Sequence, residues 1–423
     1  MSEGARKSFP ILAAWRSLIS LTTILLLIEF LDEFNYAIGG AALPMQRQDL
    51  FMTYAQVGLL LGLPHMINIF VEPVIMLLGD TALRKRLVIG GGVALTLALL
   101  LVAVAPSYSV LLVAAILIFP ASGAFVSLSQ AVLMDLNPGR ESQMMARWVV
   151  SGSLANLIGP LLLAGLFALA ITWRAGFLVM AALALLLTLW TSRQAFPAHK
   201  LQSEQAQTPA SLKSLVQREL HTLADGLKAA VVNRSLWRWI LLLELADLML
   251  DVLTSYIPLY FTDVVGVSET QASLLLSFFM LASLASDLIV VQLLERFPGL
   301  KILRWSAALI AVLFPAWLLL PGLAAKIGLI FAIKLFTLGW YTVLMGEAFA
   351  AMPERKGTLL ALLSVAGIVG SLFPLMVGWA AGHVGLQNAM WLLLLGPLSL
   401  LVLVPSPRAS YAGTAPPPKG EGV

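Results

Sequence analysis

Residues 87–105 read LVIGGGVALTLALLLVAVA, a run with no charge and a single threonine. At 1.5 Å of rise per residue, about 20 such residues cross the hydrocarbon core of a bilayer as one helix. Residues 176–192, GFLVMAALALLLTLWTS, repeat the pattern, and comparable runs follow one another from end to end. A single signal peptide or anchor does not explain them. Composition agrees: 60% of the 423 residues are hydrophobic and 11% charged, against about 25% charged in a soluble domain. The expected fold is an all-α polytopic membrane protein with twelve transmembrane helices, the first near 18–45, the seventh near 237–261 and the last near 388–405.

Orientation follows from charge. If both termini are cytoplasmic, 22 of the 26 Lys and Arg lie on that side, leaving Arg47, Arg174 and Lys326 outside and Lys334 within a span. This positive-inside bias accounts for the pI near 9.3 without invoking nucleic acid. Cysteine is absent, which excludes disulfides and thiolate chemistry. Residues 198–236 form the one long polar segment between spans. Leu212, Val216, Leu220, Leu223 and Leu227 recur there at helical spacing with Lys213, Arg218 and Lys228 between them, which predicts a basic amphipathic helix at the interface. The expected organisation is a six-helix bundle at 1–197, this linker, a second bundle at 237–406 and a disordered tail at 407–423.

The two bundles are copies. At an offset of 214–215 residues Glu29 maps to Glu244, Asp32 to Asp247, Pro44 to Pro258, Asp49 to Asp263, Glu72 to Asp287, Asp80 to Glu295, Pro138 to Pro353 and Arg140 to Arg355. AQVGLLLG at 55–62 lands on TQASLLLS at 270–277. Six helices separate each pair, so the halves share one topology, a known transporter architecture.

Two such halves and a central loop resemble the major facilitator superfamily across about residues 15–405. GDTALRKR at 79–86 is similar to the family's loop signature between helices 2 and 3, with Asp80, Arg84 and Lys85 in matching places. Met76 and Thr81 depart from it. LLERFPGLK at 293–301 is its second copy, keeping Glu295 and Arg296. Gly159-Pro160 followed by Gly165 resembles the antiporter signature of helix 5. LDEFNYAIGGAALP, TYAQVGLLLG and YIPLYFTDVVGVSETQASLLL are most similar to the fosmidomycin-resistance type of drug exporter. The resemblance implies alternating access, with helices 1, 4, 7 and 10 lining a central cavity.

Charges inside a bilayer are costly and need an account. Glu29, Asp32, Glu33, Glu72, Glu244, Asp247, Asp251, Asp287 and Glu347 fall inside the expected spans with one base, Lys334. One lysine cannot neutralise nine carboxyls. Glu29, Asp32, Glu33 and Tyr36 share a face of helix 1, as Glu244, Asp247 and Asp251 share a face of helix 7. Desolvation and like-charged neighbours both favour the protonated carboxyl, so these acids are candidates for binding protons and a cationic solute. Lys334 suits either that site or an ion pair needed for folding. His65, Asn68 and Glu72 make a polar stripe on helix 2, fit for a proton relay that could involve Asp287, or for interhelical hydrogen bonding. His65 is the one intramembrane histidine among four, so no metal site is expected, and no cofactor. Gly90-Gly91-Gly92 lacks the lysine of a phosphate-binding loop and reads as close helix packing.

The expected activity is proton-coupled export of a small cationic or amphipathic organic solute by a monomer in the plasma (bacterial inner) membrane. The fosmidomycin-type resemblance implies an anionic drug, whereas the acids favour a cation. A proton- or sodium-coupled importer of the same fold, or a transport-inactive receptor or scaffold, are the alternatives. No nucleophile–base pair suggests an enzyme.

Overall fold

A computed structural model describes residues 20–79, 81, 83–138, 140–196, 234–351 and 356–405. Asp80, residues 198–233 of the expected amphipathic helix and the tail beyond 405 lie outside the described residues.

The described chain is helical throughout, in twelve rods. They are α1 (Leu21–Asp49), α2 (Tyr54–Gly79), α3 (Arg84–Ala103), α4 (Tyr108–Leu136), α5 (Glu141–Ala168), α6 (Trp173–Ser192) and α7 (residues 234–265). After them come α8 (Glu269–Leu294), α9 (Gly299–Leu319), α10 (Leu323–Ala351), α11 (Lys356–Val384) and α12 (Leu386–Leu403). By length and apolarity alone, 10 of the described rods qualify as membrane spans. The two that do not are α1 and α7, the rods diluted by Glu29, Asp32 and Glu33 and by Glu244, Asp247 and Asp251. Ile24, Leu25, Ile28, Leu31 and Phe34 of α1 are nevertheless buried around the acids.

The described residues form two compact units. One holds residues up to 52, 63–196 and 268–277; the other holds 53–62, 234–267 and 278–405. Within the first, α1 packs on α5 and α6, and α3 on α4 and α6. Within the second, α7 packs on α11 and α12, and α9 on α10 and α12. The repeat in sequence is therefore a repeat in packing.

Small residues bring these helices close, as expected where lipid gives no hydrophobic drive to associate. A Cβ on Gly91 would meet Ala124 Cβ and the Phe125 nitrogen, both at 2.7 Å, and one on Gly159 would meet Ala37 Cβ at 2.8 Å. Gly92 is pressed against Thr188 of α6. Two of the three consecutive glycines thus serve packing, and Gly90 faces open space.

Two rods are interrupted at the same level of the repeat. In α4 the ladder widens to a π turn at Gly123–Ser127. In α10 it stops after Phe336 and restarts at Trp340, with Gly339 at φ +65°. Backbone freed inside a bilayer needs partners. Ser306 Oγ provides them, donating to the Phe336 carbonyl and accepting from the Leu338 N–H at 3.2 Å and from Trp340 Nε1 at 2.7 Å. A further π turn, Leu248–Val252, opens in α7 directly after Asp247 and contains Asp251.

Candidate functional site

In the first unit, α1, α2 and α4 bring the acids to one place. Asp32 is half-buried and accepts from Ser122 Oγ at 2.6 Å, the residue just before the π turn of α4. Glu33 and Glu72 act on it electrostatically. Glu72, also half-buried, accepts from Asn68 Nδ2 at 2.8 Å and Ser127 Oγ at 3.3 Å. Its stem rests on Gly123, where a Cβ would come within 3.6 Å of Glu72 Cγ. Glu33 accepts from Asn156 Nδ2 of α5 at 2.8 Å. These acids are held by hydroxyl and amide donors. Of the expected relay stripe, Asn68 and Glu72 join this group, while His65 stands edge-on to Phe119 at 5.8 Å.

Glu29 is buried against α5, where Gly152 leaves it room: a Cβ there would lie 3.0 Å from Glu29 Oε1 and 2.9 Å from Glu33 Cγ. In the second unit its repeat mate Glu244 lies against Gly370 of α11. Sequence reading did not find these glycines. Gly152 stands between Ser151 and Ser153, and the repeat lays it on Gly367 rather than Gly370, so neither spacing nor pattern marks them.

Also in the second unit, buried Lys334 sits within the electrostatic reach of Asp247, Asp251 and Asp287. Its ammonium lies 5.0 Å from the centre of the Phe279 ring. Asp247 is half-buried beside Asp251; Asp251 and Asp287 are exposed. Tyr36 is also exposed, at 46% of its surface.

The loop signature is partly described. Arg84 is buried and donates to Asp135 of α4 at 2.5 Å; Lys85 donates to the Gln194 carbonyl at the end of α6 at 2.7 Å. Glu295 and Arg296 stand exposed. Among the described residues no three His, Asp or Glu side chains cluster as a metal site.

The Major Facilitator Superfamily profile matches residues 25–353, most of this architecture. The chain belongs to that superfamily. No curated protein matches it in sequence. Two solved transporters share the superfamily fold. One is a bacterial homologue of the human lysosomal transporter Spinster, in an inward-facing, unoccupied form, with TM-score 0.67 at 15% identity over 95% of this chain and 100% of that one. The other is the nucleoside transporter NupG, with TM-score 0.68 at 13% identity over 93% and 99%. Membership makes the chain an integral membrane transporter of a small molecule. As in other superfamily members, the two units each carry a counterpart of the other's helices, and here each also carries a counterpart of the other's acids.

Proposed function

We propose that this superfamily member exports a small cationic or amphipathic organic solute in exchange for protons, resembling the fosmidomycin-resistance type in sequence but not in the charge of its solute. The observation that carries it is the pairing of Asp32 with Asp247. They are repeat-related and half-buried among apolar residues of α1 and α7, and Asp32 is held by a hydroxyl. Such acids are expensive unless they bind something positive. Residues 15–197 rock against 237–406, with both termini and the 198–236 linker cytoplasmic in the bacterial inner membrane. Asp32 and Asp247 take the protons, with Glu29, Glu244, Asp251, Lys334 and Tyr36 around them. His65, Glu72 and Asp287 serve as relay groups. Asp80, Arg84, Lys85, Glu295, Arg296, Gly159 and Pro160 serve the conformational cycle of a monomer.

The test is solute flux in proteoliposomes under an imposed pH gradient. Protons compete with a cationic solute, so its affinity falls as pH falls. Asp32→Asn and Asp247→Asn each weaken that dependence, and at least one abolishes gradient-driven flux in a folded protein. Lys334→Gln reproduces only half of this loss. Unchanged flux in both Asn variants would remove these aspartates from the mechanism.

A further inference from the structure

Overlaying the repeat at 215 residues pairs more than the acids. Ser122 falls on Thr337 and Ser127 on Thr342, so both units place hydroxyls beside the interruption in their fourth helix. Asp32 falls on Asp247 and Glu72 on Asp287. The match breaks at other positions: Phe119 falls on Lys334, Tyr36 on Asp251 and Asn68 on Ser283. The second unit thus keeps an ammonium group of its own within electrostatic reach of Asp251, Asp287 and Asp247. The first unit has the corresponding two acids on the corresponding helices and an aromatic ring where the lysine would stand.

A second observation concerns Asn68. It is 6% exposed, and its Nδ2 donates to Glu72 while its Oδ1, on the same amide, is buried with no donor. A buried amide oxygen is seldom left so. The group therefore gathers acceptors: the carboxyls of Asp32 and Glu72 and the Asn68 oxygen. An ammonium group is their complement, offering only N–H donors and a positive charge. Asp32 and Glu72 are half-buried, so a ligand can reach them.

We infer that Asp32, Glu72 and Asn68 bind a primary ammonium group of the transported solute, which brings to the first unit the positive charge that Lys334 brings to the second. This rests on the reading of the protein as a transporter of cations and narrows it to primary amines. Ser122 and Ser127 hold the two carboxyls in place through their own hydrogen bonds.

The test is equilibrium dialysis of labelled n-butylammonium against the full-length protein purified in detergent, at fixed pH and ionic strength. Tetramethylammonium, which has no N–H donor, and sodium serve as competitors. The site predicts saturable binding that tetramethylammonium and sodium compete for poorly. Asp32→Asn and Glu72→Gln each weaken it by about tenfold, the worth of a hydrogen bond to a charged group. Lys334→Met removes the second unit's own positive charge, so the amount bound at saturation doubles, and adding Asp32→Asn lowers it again. Gel filtration and thermal unfolding establish that each variant is folded, and Asn68→Leu reads the same site without changing charge. Equal competition by sodium or tetramethylammonium overturns the assignment, as does undiminished affinity in both acid variants or unchanged saturation in Lys334→Met. No gradient is applied, so the two readings fail separately. Binding without gradient-driven flux refutes proton-coupled export alone, and gradient-driven flux without ammonium binding refutes this site alone.

Discussion

Gly370→Ala is the sharpest probe of how the second unit holds its acid. The added methyl would overlap Glu244 Oε2 and approach its carboxyl carbon to 3.6 Å. Alanine is favoured over glycine inside a helix by about 1 kcal/mol, and overpacking a tight interface costs about 1–3 kcal/mol. The net loss of stability is therefore at most about 2 kcal/mol, and the protein folds with Glu244 turned out of place. Gradient-driven flux should fall by about tenfold, the worth of one hydrogen bond to a charged group. Glu244→Asp shortens the side chain by one methylene, so the double variant regains flux although each single variant loses it. A coupling of about 1 kcal/mol or more between the two substitutions is expected of touching residues. Gly152→Ala is the control by degree: its methyl would stop 2.9–3.0 Å from Glu33 and Glu29, so its effect is smaller. Flux in proteoliposomes and thermal unfolding in detergent measure both quantities. Full flux in Gly370→Ala, or no rescue by Glu244→Asp, would refute the reasoning.

Lys326 donates to Tyr260 Oη at 2.8 Å and to the Trp317 carbonyl at 2.9 Å while buried. Lys326→Ala should destabilise by about 2–3 kcal/mol, with Lys326→Met milder, and an unshifted unfolding midpoint for the alanine variant would contradict this. Asp135→Asn removes the negative charge paired with Arg84; because Asp135 is 44% exposed, stability changes by under about 1 kcal/mol. Turnover should slow at unchanged solute affinity, as for Asp80→Asn, and an equal loss of affinity would show that the loop touches the site. Tags at either terminus should be reached only from the cytoplasmic side, and labelling from outside would overturn the assigned orientation.

The rods were legible because a bilayer leaves apolar runs little choice but helix. The repeat was legible because acids are rare enough in such runs for their spacing to carry information. Pairings across helices were not. Arg84 was read with Asp80, its neighbour in the loop, yet its described partner is Asp135, brought close by α3–α4 packing. Ser122 lies in an apolar stretch with no charge to mark it, and its hydrogen bond to Asp32 depends on how α1 meets α4. The π turns left no mark either, since GAFVS and LMLDV are ordinary helical sequence. The second loop copy shows the limit of the repeat: Arg84 falls on Gly299, so nothing there repeats the bond to α4.

The exchange of 53–62 and 268–277 between the compact units bears on how the chain is made. A ribosome delivers the chain in order, and the first unit lacks a piece until α8 has begun to emerge. The start of α2, synthesised early, must wait for α7 and the helices beyond α8 before its own unit exists. Insertion of the rods can proceed one by one, but neither unit closes from a half-length chain. A chain stopped before residue 268 therefore lacks the segment that the first unit takes from α8.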